Sequence, residues 1–342
     1  MAFKTRSAGL RKISLVSSFV VLLLMVVFGC YVNLTVPKPV MEEQDIYYSY
    51  VEGSRLVEGE NPYARVLESD MRRNKKYATY FPVFYELSYL SQLWGLDSFE
   101  KWMAFWSLIF MVFEFELAAL LYLVLAQQKL EWAGVFAAAF WLFNRWTLVM
   151  VATQNMDFIP IFLLVASLLL FPRRQGLSLF LFSLSLGFKQ IAIFLVPLYL
   201  IWVFRAGGSD WLKQVAKAVA LIASVPLVSA LPFLVWNARG FVKSVLFSAT
   251  RVGSSLGGIS LDAVMGWDGL PARIVMLALM LLVYLLASKG GPRRYLLCFF
   301  VMAVFVAFNT VLFIQYFVWL VPLLLLLLCE FLGKPENRAD GV

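Results

Sequence analysis

The chain has 342 residues, of which 62% are apolar and 15% charged, and its mean hydropathy is +0.81. Soluble domains run nearer half apolar and a quarter charged, so too few polar side chains exist here to cover one water-soluble core. The net charge of +8 falls largely in short stretches between apolar runs, which marks membrane topology rather than a nucleic-acid partner.

Lys4, Arg6, Arg11 and Lys12 precede an apolar run over 13–31. That run is longer than the core of a secretory signal and no small-x-small cleavage site follows, so it reads as an uncleaved first span. Residues 36–101 then form one long hydrophilic loop dense in Tyr, Glu and Arg. Within it, 46–56 carries apolar and aromatic residues at three- and four-residue spacing, which predicts a helix lying along the membrane plane. Further apolar segments cover 102–126, 132–151, 158–171, 177–188, 190–204, 214–236, 272–288, 295–313 and 316–333. With the first, they predict about ten spans. Segments 158–171 and 177–188 are short for a hydrocarbon core that needs about 20 residues, so they are either extended by polar neighbours or partly re-entrant. Gly187-Phe188-Lys189-Gln190 reads as a hairpin tip dipping into the membrane or as a break in one long helix.

Charge arbitrates the topology. With ten crossings and a cytoplasmic N-terminus, Lys129, Arg173, Arg174, Arg205, Lys213, Lys217, Lys289, Arg293, Arg294 and Lys334 all fall on the cytoplasmic side, as the positive-inside bias requires. Both termini are then expected inside the cell, with loops 36–101 and 237–271 outside a plasma membrane. The second of these holds a short amphipathic run at 241–247. The expected architecture is all-α, a polytopic transmembrane helical bundle forming one integral membrane domain over 1–342. Cys30, Cys298 and Cys329 sit far apart in apolar runs and read as small buried hydrophobes.

Histidine is absent from the whole chain. Its absence removes Ser-His-Asp and Cys-His nucleophiles, His-ligated zinc and imidazole acid–base work. No GxGxxG or Walker A sequence is present to cradle a nucleotide. What remains is carboxylates and cations, a set suited to a lipid-phosphate substrate whose phosphate is held by Lys and Arg while an Asp takes a proton. Asp45, just beyond the first span, is the leading carboxylate, and it is equally placed to cap a helix starting at Ile46. Asp157 and Lys189 each border a short apolar segment, where an unpaired charge is costly and marks function. They can also form a mutual salt bridge, or Lys189 can snorkel to the interface. Glu114 and Glu116 lie two apart in an apolar helix and face different ways; one facing the interior could pair with an arginine such as Arg145, a pair the sequence does not assign. Arg251 sits among the glycines and serines of 249–255, which permit close approach to a ligand; it reads equally as a loop arginine drawn to headgroups.

Four features taken in order carry a family resemblance. Asp45 is followed by Tyr47, Tyr48 and then Gly59-Glu60-Asn61-Pro62-Tyr63. Tyr80-Phe81-Pro82-Val83-Phe84-Tyr85 comes next, then Gln154-Asn155-Met156-Asp157 with Phe188-Lys189-Gln190, and last Gln315-Tyr316-Phe317-Val318-Trp319-Leu320-Val321-Pro322. The set resembles the multi-spanning GT-C glycosyltransferases, above all the mannosyltransferase-like members (glycosyltransferase family 87, DUF2029-like) that use polyprenyl-phosphate sugars. Phe81 stands where a first proline is common, and the proline before Gln315 is missing.

The resemblance implies a GT-C helical bundle with membrane-parallel helices in the first outer loop. It implies Asp45 as the catalytic base of an inverting transfer, with polyprenyl phosphate leaving. Lys189, Arg251 and Arg145 would meet the donor phosphate, and Asp157, Gln154, Tyr48, Tyr80, Gln315 and Tyr316 would line the donor site. No cofactor is required by this chemistry. A divalent metal is left unassigned, with Asp45, Asp157 and Asp262 as the carboxylates available to one. The implied partners are the polyprenyl-phosphate-linked sugar, mannose being one candidate, a lipid or glycan acceptor, and membrane lipids, with no nucleic acid. An apolar groove leading sideways from the membrane into the polar pocket is expected for the donor tail, walled by later helices near 315–319, since each methylene moved into water costs about 0.8 kcal/mol. A polytopic transporter or lipid flippase is the alternative, because such proteins also break short helices around buried charges. Against it stand the lack of internal repeats and the long outer loop. A non-catalytic assembly subunit is a third reading.

Overall fold

A backbone in lipid must satisfy its own N–H and C=O groups, and a helix does so within one segment. The apolar stretches of this chain are accordingly helical. The structure, a computed structural model, describes residues 2–67, 78–247, 261–267, 270–290, 293–309 and 312–333, and no strand occurs among them. In chain order the helices are α1 (Ala2–Thr35), α2 (Asp45–Val57), α3 (Val83–Leu93), α4 (Phe99–Gln127), α5 (Glu131–Phe143), α6 (Arg145–Ala152) and α7 (Phe158–Leu170). They continue with α8 (Gln175–Phe188), α9 (Val196–Ala206), α10 (Trp211–Val245), α11 (Leu261–Val264), α12 (Leu270–Ser288), α13 (Arg294–Ala307) and α14 (Ile314–Leu332).

Four helices are long and apolar enough to cross a membrane: Ile13–Thr35, Phe99–Gln127, Gly208–Val245 and Ile314–Leu332. The pair α5–α6, bent by 45°, makes a fifth if it is one span. The bend sits at Asn144, whose Oδ1 accepts from the backbone N–H groups of Trp146 and Thr147 and so caps a new helix. The remaining apolar helical stretches, counting α12 from Arg273, have 10–17 residues, at most about 25 Å against a core of about 30 Å. The expected segment 295–313 in particular stops being helical at Ala307. Faces of α1, α10 and α12 lie uncovered, with Val235 81% exposed; contiguous apolar surface of this kind is costly in water and ordinary in lipid.

The helix expected over 46–56 forms as α2, but its cap differs from expectation. Gln44, in extended conformation, is the N-cap and makes no side-chain cap bond, so Asp45 is the first helical residue. An acid there gains from the helix dipole rather than from capping geometry. The amphipathic run expected at 241–247 is also present. Asn237 leaves helical geometry inside α10 (φ −158°, ψ 83°), which separates a long apolar limb from a short one that follows. Asn237 Oδ1 accepts from Gly240 N at 2.9 Å and restarts the helix.

That second limb clamps the long loop that follows α1. Gly59 ends α2 at φ 77°, a left-handed position that suits glycine. Asn61 Oδ1 then accepts from Tyr63 N at 2.9 Å, folding a tight Asx turn. Tyr63 is wholly buried against Tyr85, Phe233 and Phe241, and its hydroxyl donates to Tyr80 O at 2.8 Å. A Cβ at Gly240 would lie 2.8 Å from Tyr63 O, so the chains touch at backbone distance. Lys243 Nζ donates to Val66 O at 3.1 Å, and Ser244 Oγ donates to Ala78 O.

Candidate functional site

Two helix ends build the site. At the end of α6, Asn155 N donates to Met150 O (3.1 Å) and Gln154 N to Val151 O (3.2 Å), the paired bonds of a Schellman motif. Its left-handed position is filled by Gln154 (φ 51°) instead of glycine, a strained choice worth about 1–3 kcal/mol. The buried Gln154 side chain offsets part of that by donating to Val151 O at 2.7 Å. The turn aims 155–157 inward, and Asn155 Oδ1 then accepts from Asp157 N at 3.1 Å. The other end is that of α8, where Gly187 permits close approach to Val225 of α10 and Val83 of α3. Lys189 follows in extended conformation (φ −156°, ψ 123°) as a break between two helices.

Asp157 is 0% exposed and Lys189 2% exposed. Lys189 Nζ donates to Asp157 Oδ1 at 2.6 Å, and Trp319 Nε1 of α14 donates to Asp157 Oδ2 at 3.2 Å. The ammonium also lies 4.7 Å from the centre of the Tyr80 ring. One turn before Trp319, Gln315 Oε1 accepts from Asn155 Nδ2 at 2.6 Å. Next to Lys189, Gln190 Nε2 donates to Thr79 O at 2.7 Å. Four distant pieces of chain thus meet: 79–80, 154–157, 189–190 and 315–319.

A buried ion pair repays its desolvation only when further bonds satisfy both groups. The indole N–H does this for the carboxylate, and the tyrosine π-face does part of it for the ammonium. An ammonium has three donors; Asp157 takes one, which leaves capacity for an anion. Gln190 Oε1 is buried with no hydrogen-bond partner among the described residues, an acceptor suited to a hydroxyl.

The structure therefore brings Tyr80, Gln154, Asp157, Lys189 and Gln315 together, and Lys189 pairs with Asp157 instead of snorkelling. Asp45 is exposed at the start of α2. Tyr48, half-buried on the same helix, stands edge-on to Tyr47. Tyr316 turns toward α13, its ring 5.6 Å from that of Phe305. Arg145 is exposed at the start of α6, and the pairing considered for it is not made. The buried Glu114 accepts instead from Asn33 Nδ2 at 3.0 Å, because that face of α4 meets α1. Arg251 lies outside the described residues, as does the side chain of Asp262. No group of three or more metal-binding side chains gathers among the described residues.

Asn155 and Trp319 were not singled out for the site from sequence. The signal was present, since Gln315 and Trp319 are four apart and share one helix face. A second cluster was also missed. In the loop between α1 and α4, the buried Glu52 carboxylate lies 3.0 Å from Arg65 Nη1 and 3.5 Å from Arg55 Nε, and Arg55 also bonds Glu60 at 2.8 Å. Burial pushes Glu52 up to about 7 despite the opposing pull of Arg65 and Arg55. Burial likewise pushes Glu86 on α3 to about 7. A cavity of about 360 Å³ is lined by Val264, Val306, Ala307, Leu312, Phe317 and Leu320, among others, but no residue of the polar cluster lines it, so it is not the groove expected to lead into that cluster. Phe317 and Leu320 stand on the side of α14 turned away from Gln315 and Trp319, so the cavity and the ion pair flank opposite faces of one helix.

Residues 263–339 match a family profile described as Mannosyltransferase (PIG-M). The match takes in α12 to α14, including Gln315 and Trp319, and covers less than a quarter of the chain. No curated protein and no solved structure matches. The profile match supports a glycosyltransferase enzyme of mannosyltransferase type, with a sugar donor and a glycan or lipid acceptor as its classes of partner. With the apolar helices, it supports an integral membrane protein.

Proposed function

We propose that this chain is an inverting membrane glycosyltransferase that moves a sugar, mannose foremost, from a polyprenyl-phosphate donor to a lipid or glycan acceptor at the outer face of the plasma membrane. One observation carries the reading. The helix within the mannosyltransferase match, α14, hydrogen-bonds through Gln315 and Trp319 to the segment that holds the buried Asp157–Lys189 pair. The resemblance to glycosyltransferase family 87 refines it by adding the polyprenyl-phosphate donor. In the proposed topology the ten apolar stretches cross ten times, the short helices being completed by their flanking residues, with both termini cytoplasmic and α2 outside.

The chemistry needs one base and cations for the departing charge. Asp45 takes the proton of the acceptor hydroxyl as its oxygen bonds to the anomeric carbon. The bond from that carbon to the phosphate oxygen breaks, and its electron pair leaves with the phosphate, which the Lys189 ammonium stabilises. Arg251 and Arg145 are the further cations assigned to the phosphate. Phosphate is already a good leaving group, so no second carboxyl must protonate it, unlike glycoside hydrolysis.

Asp45→Asn tests this. An isosteric amide removes basicity while keeping shape, so transfer with purified protein and polyprenyl-phosphate mannose should fall by about 10²–10⁴-fold, with the protein still folded. Full activity in D45N overturns the assignment of the base. Proteoliposomes that move a labelled donor across the bilayer without transferring its sugar would instead favour a flippase.

A further inference from the structure

We infer that Trp319 is a positioning residue: its indole N–H orients the Asp157 carboxylate, and through it aims the Lys189 ammonium at the donor phosphate. The inference rests on the reading of Lys189 given above and assigns a role to a side chain which that reading leaves idle. A carboxylate held by one oxygen turns about its last torsion, which is broad and roughly two-fold. Here both oxygens are held, Oδ1 by Lys189 at 2.6 Å and Oδ2 by Trp319 at 3.2 Å. The backbone before it is held too, because Asp157 N donates to Asn155, which donates in turn to Gln315. Helix α14 thus grips 155–157 at two points one turn apart, and the direction of the ammonium follows from that grip.

Satisfying a buried indole is the plainer explanation, and the other tryptophans weigh against it. Trp141 Nε1 donates to the backbone carbonyl of Glu114 and Trp106 Nε1 to the Ser91 hydroxyl, both neutral. Trp102 Nε1 is buried with no partner among the described residues. The fold tolerates an idle indole, yet it aims this one at a carboxylate already paired with a cation.

The test compares Trp319→Phe, Lys189→Gln and the double variant, using purified protein with polyprenyl-phosphate mannose and a second polyprenyl-phosphate sugar. Phe keeps the bulk and removes the donor. A hydrogen bond to a charged group sets the expected effect at a rise of about 10-fold or more in donor KM. The rise should be alike for both sugars, with acceptor KM unchanged. In the K189Q background W319F should change donor KM less than about twofold, because two residues acting through one contact are not additive. A merely structural tryptophan adds its full loss to K189Q. That additivity, or an unchanged donor KM in W319F, overturns the inference. An unchanged donor KM in K189Q overturns the reading of Lys189 itself, which is a different result. If W319F does not purify as a single species, Gln315→Leu takes its place. It removes the bond to Asn155 and should raise donor KM by about 3–10-fold, again only where Lys189 is present; a rise that persists in K189Q overturns the inference.

Discussion

Asp157 and Glu52 are both buried carboxylates paired with cations, yet their partners stand in different surroundings. Lys189 is as dry as Asp157, at 2% exposure, whereas the side chains of Arg55 and Arg65 around Glu52 are 27% and 30% exposed. The Glu52 cluster is also local, joining residues three and thirteen apart, while Asp157 and Lys189 join the start of α7 to the end of α8. When one partner can reach water, losing the other costs little beyond the bond. When neither can, each charge persists only because the other is there. The Glu52 cluster therefore behaves as a fastening, and the Asp157–Lys189 pair as a stored electrostatic site.

The sharpest break of this comparison removes one charge from the dry pair. Lys189→Met strands the Asp157 carboxylate and should cost about 3–5 kcal/mol, read as a marked fall in the thermal midpoint of the detergent-purified protein. Asp157→Asn should cost a similar amount by stranding the ammonium. The double variant buries no charge, so most of the stability should return while sugar transfer stays lost. If the double variant is no more stable than the singles, the pair is not the isolated dry couple described above.

Much of the helical plan was legible in the sequence, and the pairings were not. Apolar runs mark where helices form because lipid and core both demand an internally bonded backbone, and all ten runs proved helical over most of their length. Their crossing lengths were less legible, since hydropathy does not register the turn at Ala307 or the bend at Asn144. The motifs at 154–157, 189 and 315–319 announced residues that the fold brings together. Periodicity, however, does not show which side chains meet across 160 residues, so Asn155 and Trp319 went unassigned and Arg145 was offered a partner that Asn33 holds. Glu52 and Arg65 escaped because a charged stretch in a loop reads as solvated until a fold buries it.

The second cluster gives a pH test of its role as a fastening. In the unfolded chain Glu52 titrates near 4.5, and burial raises it to about 7 in the fold. Between those values the unfolded chain has released its proton and the fold has kept it, so stability falls as pH rises from about 4.5 to 7 and then levels. The full difference is about 3 kcal/mol. The groups that face Glu52 are Arg65, Arg55 and Glu60, with the Tyr63 and Tyr85 hydroxyls in its field. Glu86, also raised to about 7, adds the same sign from α3. Amide exchange of α2, corrected for intrinsic rate, should thus be slower at pH 5 than at pH 8. Glu52→Gln should reduce the difference, and E52Q/E86Q should abolish it. A wild-type profile no steeper than that of E52Q would mean that the arginines keep Glu52 ionised throughout.

The smallest effect probes whether the two regions speak to each other. Tyr63 Oη donates to the carbonyl of Tyr80, and the Tyr80 ring lies beneath the Lys189 ammonium. Tyr63→Phe keeps the ring contacts with Tyr85, Phe233 and Phe241 and deletes that one bond, so it should cost about 1 kcal/mol of stability. If the clamp on the loop between α1 and α4 sets the place of Tyr80, combining Y63F with D157N should give a stability change that departs from the sum of the singles by about 0.5 kcal/mol or more, as contacting residues do. Additivity would mean that the loop and the buried pair are fastened separately. Tyr80 would then reach Lys189 through the start of α3, where Pro82 fixes the chain direction, and not through Tyr63.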